Sequence, residues 1–431
     1  MRSSTALPSS SRATSSSPPP PTTRRNVSRG ALGMSCLVDD QSGRGGGGGG
    51  LVGARMVTQE AAEAMQTLHA GGLDGGTLLA FADQGGNLAG KFFQASLLPY
   101  LSFLYFLGQG SNGTPKMGNF GFRYLLLFVV ATIPTGIISK VTYGVSLADV
   151  DWLHGSAELL LTVTNLLIVY GFRQTMGRGD PTFMDNTVKN VALAILALVG
   201  ITAATGVPVF HFEAHTAFLA GIGDLPKQIL PSFLHAEPAN ALSIPTWAIH
   251  FSSVYEWIFA MGLVWRYAEA SGNEKWKGLT WGMLPLHASG IAACTYHWWY
   301  NSPDLSFLVA LQAGLTCLGN ITVAIAAYRI AMSNGFEFKL PSLPGQGGDA
   351  PEGGQAQAAA AITPQPSILE QSDASLIAKL SGLTILSAYA CKYSELALGE
   401  FPFTPNPLVA CLMVATPPAL VGLNYFKKGS E

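Results

Sequence analysis

Between residues 152 and 172 the chain reads WLHGSAELLLTVTNLLIVYGF, an apolar run with a carboxylate, Glu158, inside it. About 20 consecutive apolar residues cross the hydrocarbon core of a bilayer as a helix, where every backbone polar group must be paired within the protein. Glu158 belongs to a pattern. Asp151, His154, Glu158, Thr162 and Asn165 follow one another at steps of three, four, four and three, which keeps all five within a band roughly 60° wide on an α-helix. An ionisable group is costly in lipid. The stripe therefore predicts a bundled helix whose polar edge faces a neighbour, a partner or a cavity.

The rest of the chain reads the same way. Only 12% of its 431 residues are charged and 48% are hydrophobic, against about 25% charged in soluble domains. A net charge of −2 offers no broad basic surface, so the expected partner is the lipid bilayer and not nucleic acid. The five cysteines form no CxxC pair, and four lie in or beside apolar runs. Neither a disulfide framework nor a zinc site is expected, and no metal ligands are assigned.

Nine apolar stretches fit the length of a span: 92–108, 120–142, 152–172, 188–207, 244–266, 279–300, 305–330, 374–391 and 405–426. Alternate loops should differ in Lys and Arg. One side receives Lys116, Arg123, Arg173, Arg178, Lys189, Arg266, Lys275, Lys277, Arg329, Lys339, Lys427 and Lys428; the other receives Lys91, Lys140, Lys227 and Lys392 with Asp149, Asp151, Asp224, Glu237 and Asp304. The bias recurs loop after loop. In a plastid the positive side is the stroma, which would hold the C-terminus.

Residues 1–35 are rich in Ser, Thr, Pro and Arg without an acid, the composition of a plastid transit peptide. A flexible glycine-rich region follows over 36–90, with a short helix expected at 56–70. The first membrane module with one extra span covers 91–208, a loop 209–239, and a second module 240–332. A Pro, Gly, Ala and Gln linker over 333–372 is expected to be disordered, and a two-span hairpin occupies 373–431. In the loop, His211 and His215 of HFEAH have a ligand-like spacing, but no third ligand is fixed; a solvated loop is the better reading.

The modules resemble each other. IPTGIISKVTYG (133–144) lies against LPLHASGIAACTYHWW (284–299), and Asn165 and Asn320 fall at matching places in the third helices, closed by Arg173 and Arg329. With one extra span between them, the second module would re-enter in the same orientation as a parallel repeat. The predicted fold is thus an all-α membrane protein of about nine transmembrane helices, with two related three-helix modules and a C-terminal hairpin.

Four helices carry polar stripes. Besides that of Asp151, His154, Glu158, Thr162 and Asn165, there are His250, Ser253 and Trp257; His287, Cys294, His297 and Asn301; and Gln312, Thr316 and Asn320. Three readings stay open. They assign the polar core to interhelical hydrogen bonds, to a solute or proton path through Glu158 and His154, or to a haem or chlorophyll held by His250 and His297 at similar depth. No GxSxG, HExxH, P-loop or dinucleotide motif stands in a usable context, so no catalytic residue is assigned.

Residues 240–330, with NALSIPTWAIHFSSVYEWIFAMGLVWRYAEASGNEKWKGLTWGMLPLHASGIAACTYHWW, resemble an uncharacterised membrane family named for hypothetical chloroplast open reading frame 49. Residues 91–173, with SLLPYLSFLYFL, TIPTGIISKVTYG and DVDWLHGSAELLLTVTNLLIVYGFR, resemble a second uncharacterised family of cyanobacteria and plastids. The resemblance implies a photosynthetic lineage and a plastid membrane, and it supplies no catalytic residue or ligand. The expected function is that of a non-enzymatic accessory or biogenesis factor of a photosynthetic or envelope membrane (thylakoid or inner envelope), beside photosynthetic membrane complexes, with a small-solute or proton carrier and a haem- or pigment-binding protein as alternatives.

Overall fold

A computed structural model describes residues 76–177, 182–215, 240–337, 373–394 and 404–430. Among these residues every regular element is helical. In chain order they are α1 (Gly76–Leu107), α2 (Lys116–Ile138), α3 (Asp151–Gly177), α4 (Thr182–Thr205), α5 (Ile244–Ser271), α6 (Lys275–Gly282), α7 (Leu284–Trp298), α8 (Phe307–Ser333), α9 (Asp373–Lys392) and α10 (Pro407–Ser430). The transit peptide, the 56–70 helix, most of the 209–239 loop and most of the linker lie outside the described residues.

Six helical stretches are long and apolar enough to cross a membrane by length and composition: Lys116–Tyr143, Asp151–Gly177, Asp185–Thr205, Pro303–Ser333, Ala374–Lys392 and Pro407–Ser430. The expected spans 92–108, 244–266 and 279–300 are helical but do not meet that measure. The last has a local cause. Pro285 has no N–H to give, and its ring crowds the carbonyl of Trp281, so the helix breaks at Met283 into α6 and α7. The 15 residues of α7 rise only about 22 Å. The Met283 carbonyl at the break accepts the Trp257 indole N–H at 3.0 Å. By contrast, α5 is 28 residues long but carries His250, Ser252, Ser253 and Glu256 and packs against several neighbours.

The most extensive pairings are α1 with α8, α2 with α3, and α3 with α5; α7 also packs on α8, α9 on α5 and α10 on α7. Small residues permit the close ones. Gly171 of α3 lies directly against the Gly118 backbone of α2, and Gly319 of α8 against Leu286 of α7. A continuous core of Tyr100, Phe103, Phe122, Phe172, Met261, Tyr267 and Trp276 joins α1, α2, α3, α5 and α6. Within it the Tyr100 hydroxyl donates to the Phe122 carbonyl at 2.5 Å. The outside is apolar as well: Val130, Ile133, Leu198, Ile201, Leu386, Leu408 and Leu420 are all more than half exposed. Contiguous apolar surface on several helices marks a face meant for something other than water. Here it suits lipid.

Two side chains tie distant parts of the chain together in matching ways. Asn165 in α3 donates to the Ser253 carbonyl of α5 at 3.0 Å, and Asn320 in α8 donates to the Ser96 carbonyl of α1 at 3.1 Å.

Candidate functional site

The α3 stripe faces α5. Gly155 makes this possible: a Cβ there would stand 2.5 Å from the Thr246 hydroxyl. With the helices this close, the polar groups of α3 reach the backbone of the α5 segment. The Asp151 carboxylate accepts the Ser243 N–H at 2.8 Å, and the Thr162 hydroxyl donates to the Ile249 carbonyl at 3.2 Å. Asn165 makes the bond to Ser253 already described. Glu158 differs from its neighbours. It is half-buried and forms no hydrogen bond or ion pair among the described residues. Gln312 on α8 takes part through its backbone carbonyl, which accepts from Ser289 at 3.1 Å and from Thr316 at 3.0 Å. Asn320 points away from this group, to α1.

At the end of the α3–α5 contact three imidazoles converge. His154 comes from the first turn of α3, His250 from the second turn of α5, and His297 from the last turn of α7. All three are at most 9% exposed. Nε2 of His154 and Nε2 of His250 are 2.9 Å apart, a hydrogen bond with one donor and one acceptor. Ring centroids are separated by 5.0 Å (His154–His250), 4.9 Å (His154–His297) and 5.0 Å (His250–His297). One nitrogen from each ring lies within 4.8 Å of the others. The sequence reading paired His250 with His297 and left His154 in the stripe; the structure brings the three together.

A second layer stands behind His297. Its Nδ1 lies 2.8 Å from Asn301 Oδ1. The Asn301 amide donates to Asp149 Oδ1 at 2.6 Å and to the Ala148 carbonyl at 3.2 Å, and Ser146 donates to the other Asp149 oxygen at 2.6 Å. Because the Asn301 nitrogen is committed as donor, its oxygen must accept, so His297 carries its proton on Nδ1 and presents the Nε2 lone pair. Asn301 is held in place by unusual backbone: Tyr300 and Asn301 have φ of 48° and 53°, in the left-handed region that non-glycine residues rarely enter. The Asn240 amide donates to the Tyr300 carbonyl and steadies the turn. No sequence signal marked Asn301 as a bridge between α7 and the segment before α3.

The arrangement does not suit a bis-histidine haem through His250 and His297. Axial imidazoles stand on opposite faces of a macrocycle. Here a third imidazole sits about equally close to both, in the space the macrocycle would need. His287, on the same helix as His297, is buried with neither ring nitrogen hydrogen-bonded and stays outside the cluster. Of the HFEAH residues, His211 and Glu213 are exposed and His215 is half-buried.

The profile of the family described as Protein of unknown function (DUF3593) matches residues 89–177, and that described as Protein of unknown function (DUF2499) matches residues 241–329. His154 thus lies in the first matched domain, and His250 and His297 in the second. A Ycf49-like protein of Synechocystis sp. is 53% identical over 91 residues, which cover 21% of this chain and 88% of that protein. The uncharacterized protein ycf49 of Cyanophora paradoxa is 34% identical over 84 residues, covering 20% of this chain and 82% of that protein. No solved structure matches the chain. Helices apolar enough for a bilayer, together with relatives from a cyanobacterium and a plastid lineage, make this a plastid-type membrane protein. Over about a fifth of its length the chain belongs to the Ycf49-like family, and it carries the DUF3593 and DUF2499 matches on one polypeptide.

Proposed function

We propose that the protein is a non-enzymatic accessory or biogenesis factor of a photosynthetic or envelope membrane. It would cross the bilayer nine times, with the C-terminus in the stroma. The observation that carries this reading is where the polar core is spent. Asp151, Thr162, Asn165 and Asn320 each engage a backbone group of a neighbouring segment. Such bonds hold membrane helices together, since polar groups in lipid need partners. A transport path would instead leave a row of groups facing a shared opening.

The two asparagines also support a parallel pair of three-helix modules. Asn165 lies in the third helix of the first module and reaches a serine carbonyl in the first helix of the second; Asn320 does the reverse. In a parallel repeat these are the same bond made twice, so each module closes on the other.

The test is a mass-spectrometric partner list from gently solubilised full-length protein, run beside thermal unfolding with candidate solutes. Co-purifying photosynthetic or envelope-complex subunits are the expected result. A solute that raises the melting temperature with the logarithmic concentration dependence of a native-state ligand, with no such subunits, would point to a carrier instead.

A further inference from the structure

We infer that His154, His250 and His297 bind one divalent transition-metal ion, in a site built jointly by the two domains. This inference is independent of the accessory role. Three buried nitrogen donors within 4.8 Å of one another, from three different helices, form the only such ligand group among the described residues. Imidazole nitrogens suit zinc, copper, iron and nickel, whereas magnesium and calcium take oxygen ligands. Metal–nitrogen bonds of about 2.0–2.1 Å in a tetrahedral arrangement place the nitrogens about 3.3 Å apart. The His154–His250 pair at 2.9 Å opens slightly to meet that distance, and the third nitrogen closes by up to about 1.5 Å.

The surroundings fit a ligand set better than they fit a packing cluster. A metal-bound imidazole characteristically has its other nitrogen hydrogen-bonded outward, which orients the ring and sets the tautomer. His297 has this arrangement on its Nδ1 side, through Asn301 to Asp149, which leaves the lone pair on Nε2. Asp149 and Asp151 are the acidic side chains close enough to His297 to act on it, and their charge would offset a dipositive ion. Three protein nitrogens leave a fourth position for water or another small ligand, the pattern of reactive zinc centres rather than of closed four-ligand ones. The metal would also staple α3 to α5 and α7, and so one domain to the other.

The experiment uses the full chain, purified in mild detergent with an affinity tag that contains no histidine. It is titrated with zinc(II) and, separately, copper(II) and cobalt(II), and bound metal is measured by mass spectrometry after desalting. About one metal per chain is expected, with visible cobalt(II) bands from nitrogen ligation. His154→Ala, His250→Ala and His297→Ala should each lower retained metal at least about tenfold, and His287→Ala should retain it fully. Asn301→Ala should keep the stoichiometry and weaken binding about 10- to 100-fold. A chelator should lower the melting temperature of the wild type but not of His154→Ala, and added zinc should restore it. The wild-type titration needs no variant to fold: retention of less than about 0.1 metal per chain for all three ions would overturn the site. So would full retention by a monodisperse His154→Ala protein, since the domain-spanning ligand would then be dispensable.

Discussion

Gly171→Ala is expected to destabilise the bundle, and its size can be worked from the α2–α3 crossing. A Cβ on Gly171 would stand 2.1 Å from Gly118 N, 2.7 Å from Met117 C and 2.8 Å from Gly118 Cα. All three are backbone atoms, so no side chain can swing aside. Ordinary contact begins near 3.4 Å, which requires the helices to part locally by about 1.3 Å. Parting them loosens two contacts packed to the same tolerance, Phe172 on Gly118 and Ile168 on Gly121. Overpacking of this kind costs about 1–3 kcal/mol, and the lack of an escape route puts this case near 3. Alanine regains about 1 kcal/mol of helix propensity over glycine, which leaves a net loss of about 2 kcal/mol. Gly200→Ala is the control. It lies on an exposed face of α4 with nothing within 4 Å of an added Cβ, so it should show the propensity gain alone. At roughly 2 °C per kcal/mol, Gly171→Ala should melt about 4 °C below wild type and Gly200→Ala about 2 °C above it. Thermal unfolding of the purified protein in one detergent, followed by size-exclusion recovery, reads both. A Gly171→Ala protein as stable as Gly200→Ala would refute the close crossing.

Three further outcomes are expected. Glu158→Gln should accumulate normally and largely complement a null mutant, because Glu158 makes no hydrogen bond or ion pair that the amide would lose; normal accumulation with a null phenotype would instead assign the carboxylate a carrier or ligand role. Tags beside Lys275 and Arg178 should be protected or cleaved together in oriented vesicles, and a tag at Asp224 should behave oppositely, as the Lys and Arg distribution requires; cleavage of the first two from opposite sides would sink the nine-span topology. Asn165→Leu and Asn320→Leu should each cost about 0.6 kcal/mol, the average for an interhelical hydrogen bond in a membrane protein. Unequal effects of several kcal/mol on melting would argue against the two bonds being equivalent.

Much of the bundle could be read before any coordinates, because helical spacing is a strong constraint. The steps from Asp151 to Asn165 put five polar residues on one edge, and four of them meet the α5 segment. Spacing along one helix says nothing about the rotation of its partner, however. Glu158 sits mid-stripe yet is passed over, because contact is set by the crossing at Gly155 and Thr246. The same ignorance of crossing geometry hid the third imidazole. His250 and His297 could be placed at one depth by counting residues, but which face of α3 would swing His154 between them could not. The break at Met283 was only partly available: Pro285 favours a kink or break there, yet Pro99, Pro134 and Pro417 stand inside helices that run on. Asn301 was not: its role rests on two consecutive residues with positive φ, and although Asn enters that region more readily than most residues, the preceding Tyr300 gives no sign of it.

The histidine cluster draws its walls from two sequence families, with His154 and His250 separated by 96 positions on one chain. The Synechocystis relative is matched over 88% of its own length by 91 residues of this chain, which leaves no room in it for both of the domains matched here at 89–177 and 241–329. A protein of that length supplies at most part of such a cluster. Fusing the two domains converts the meeting of two membrane proteins, diffusing in a crowded bilayer, into a fold-back of one chain at an effective concentration in the millimolar range. It also fixes their stoichiometry at synthesis: one transcript yields both walls in equal number, and neither can accumulate as an orphan half with the polar stripe of α3 or its α5 partners uncovered in lipid.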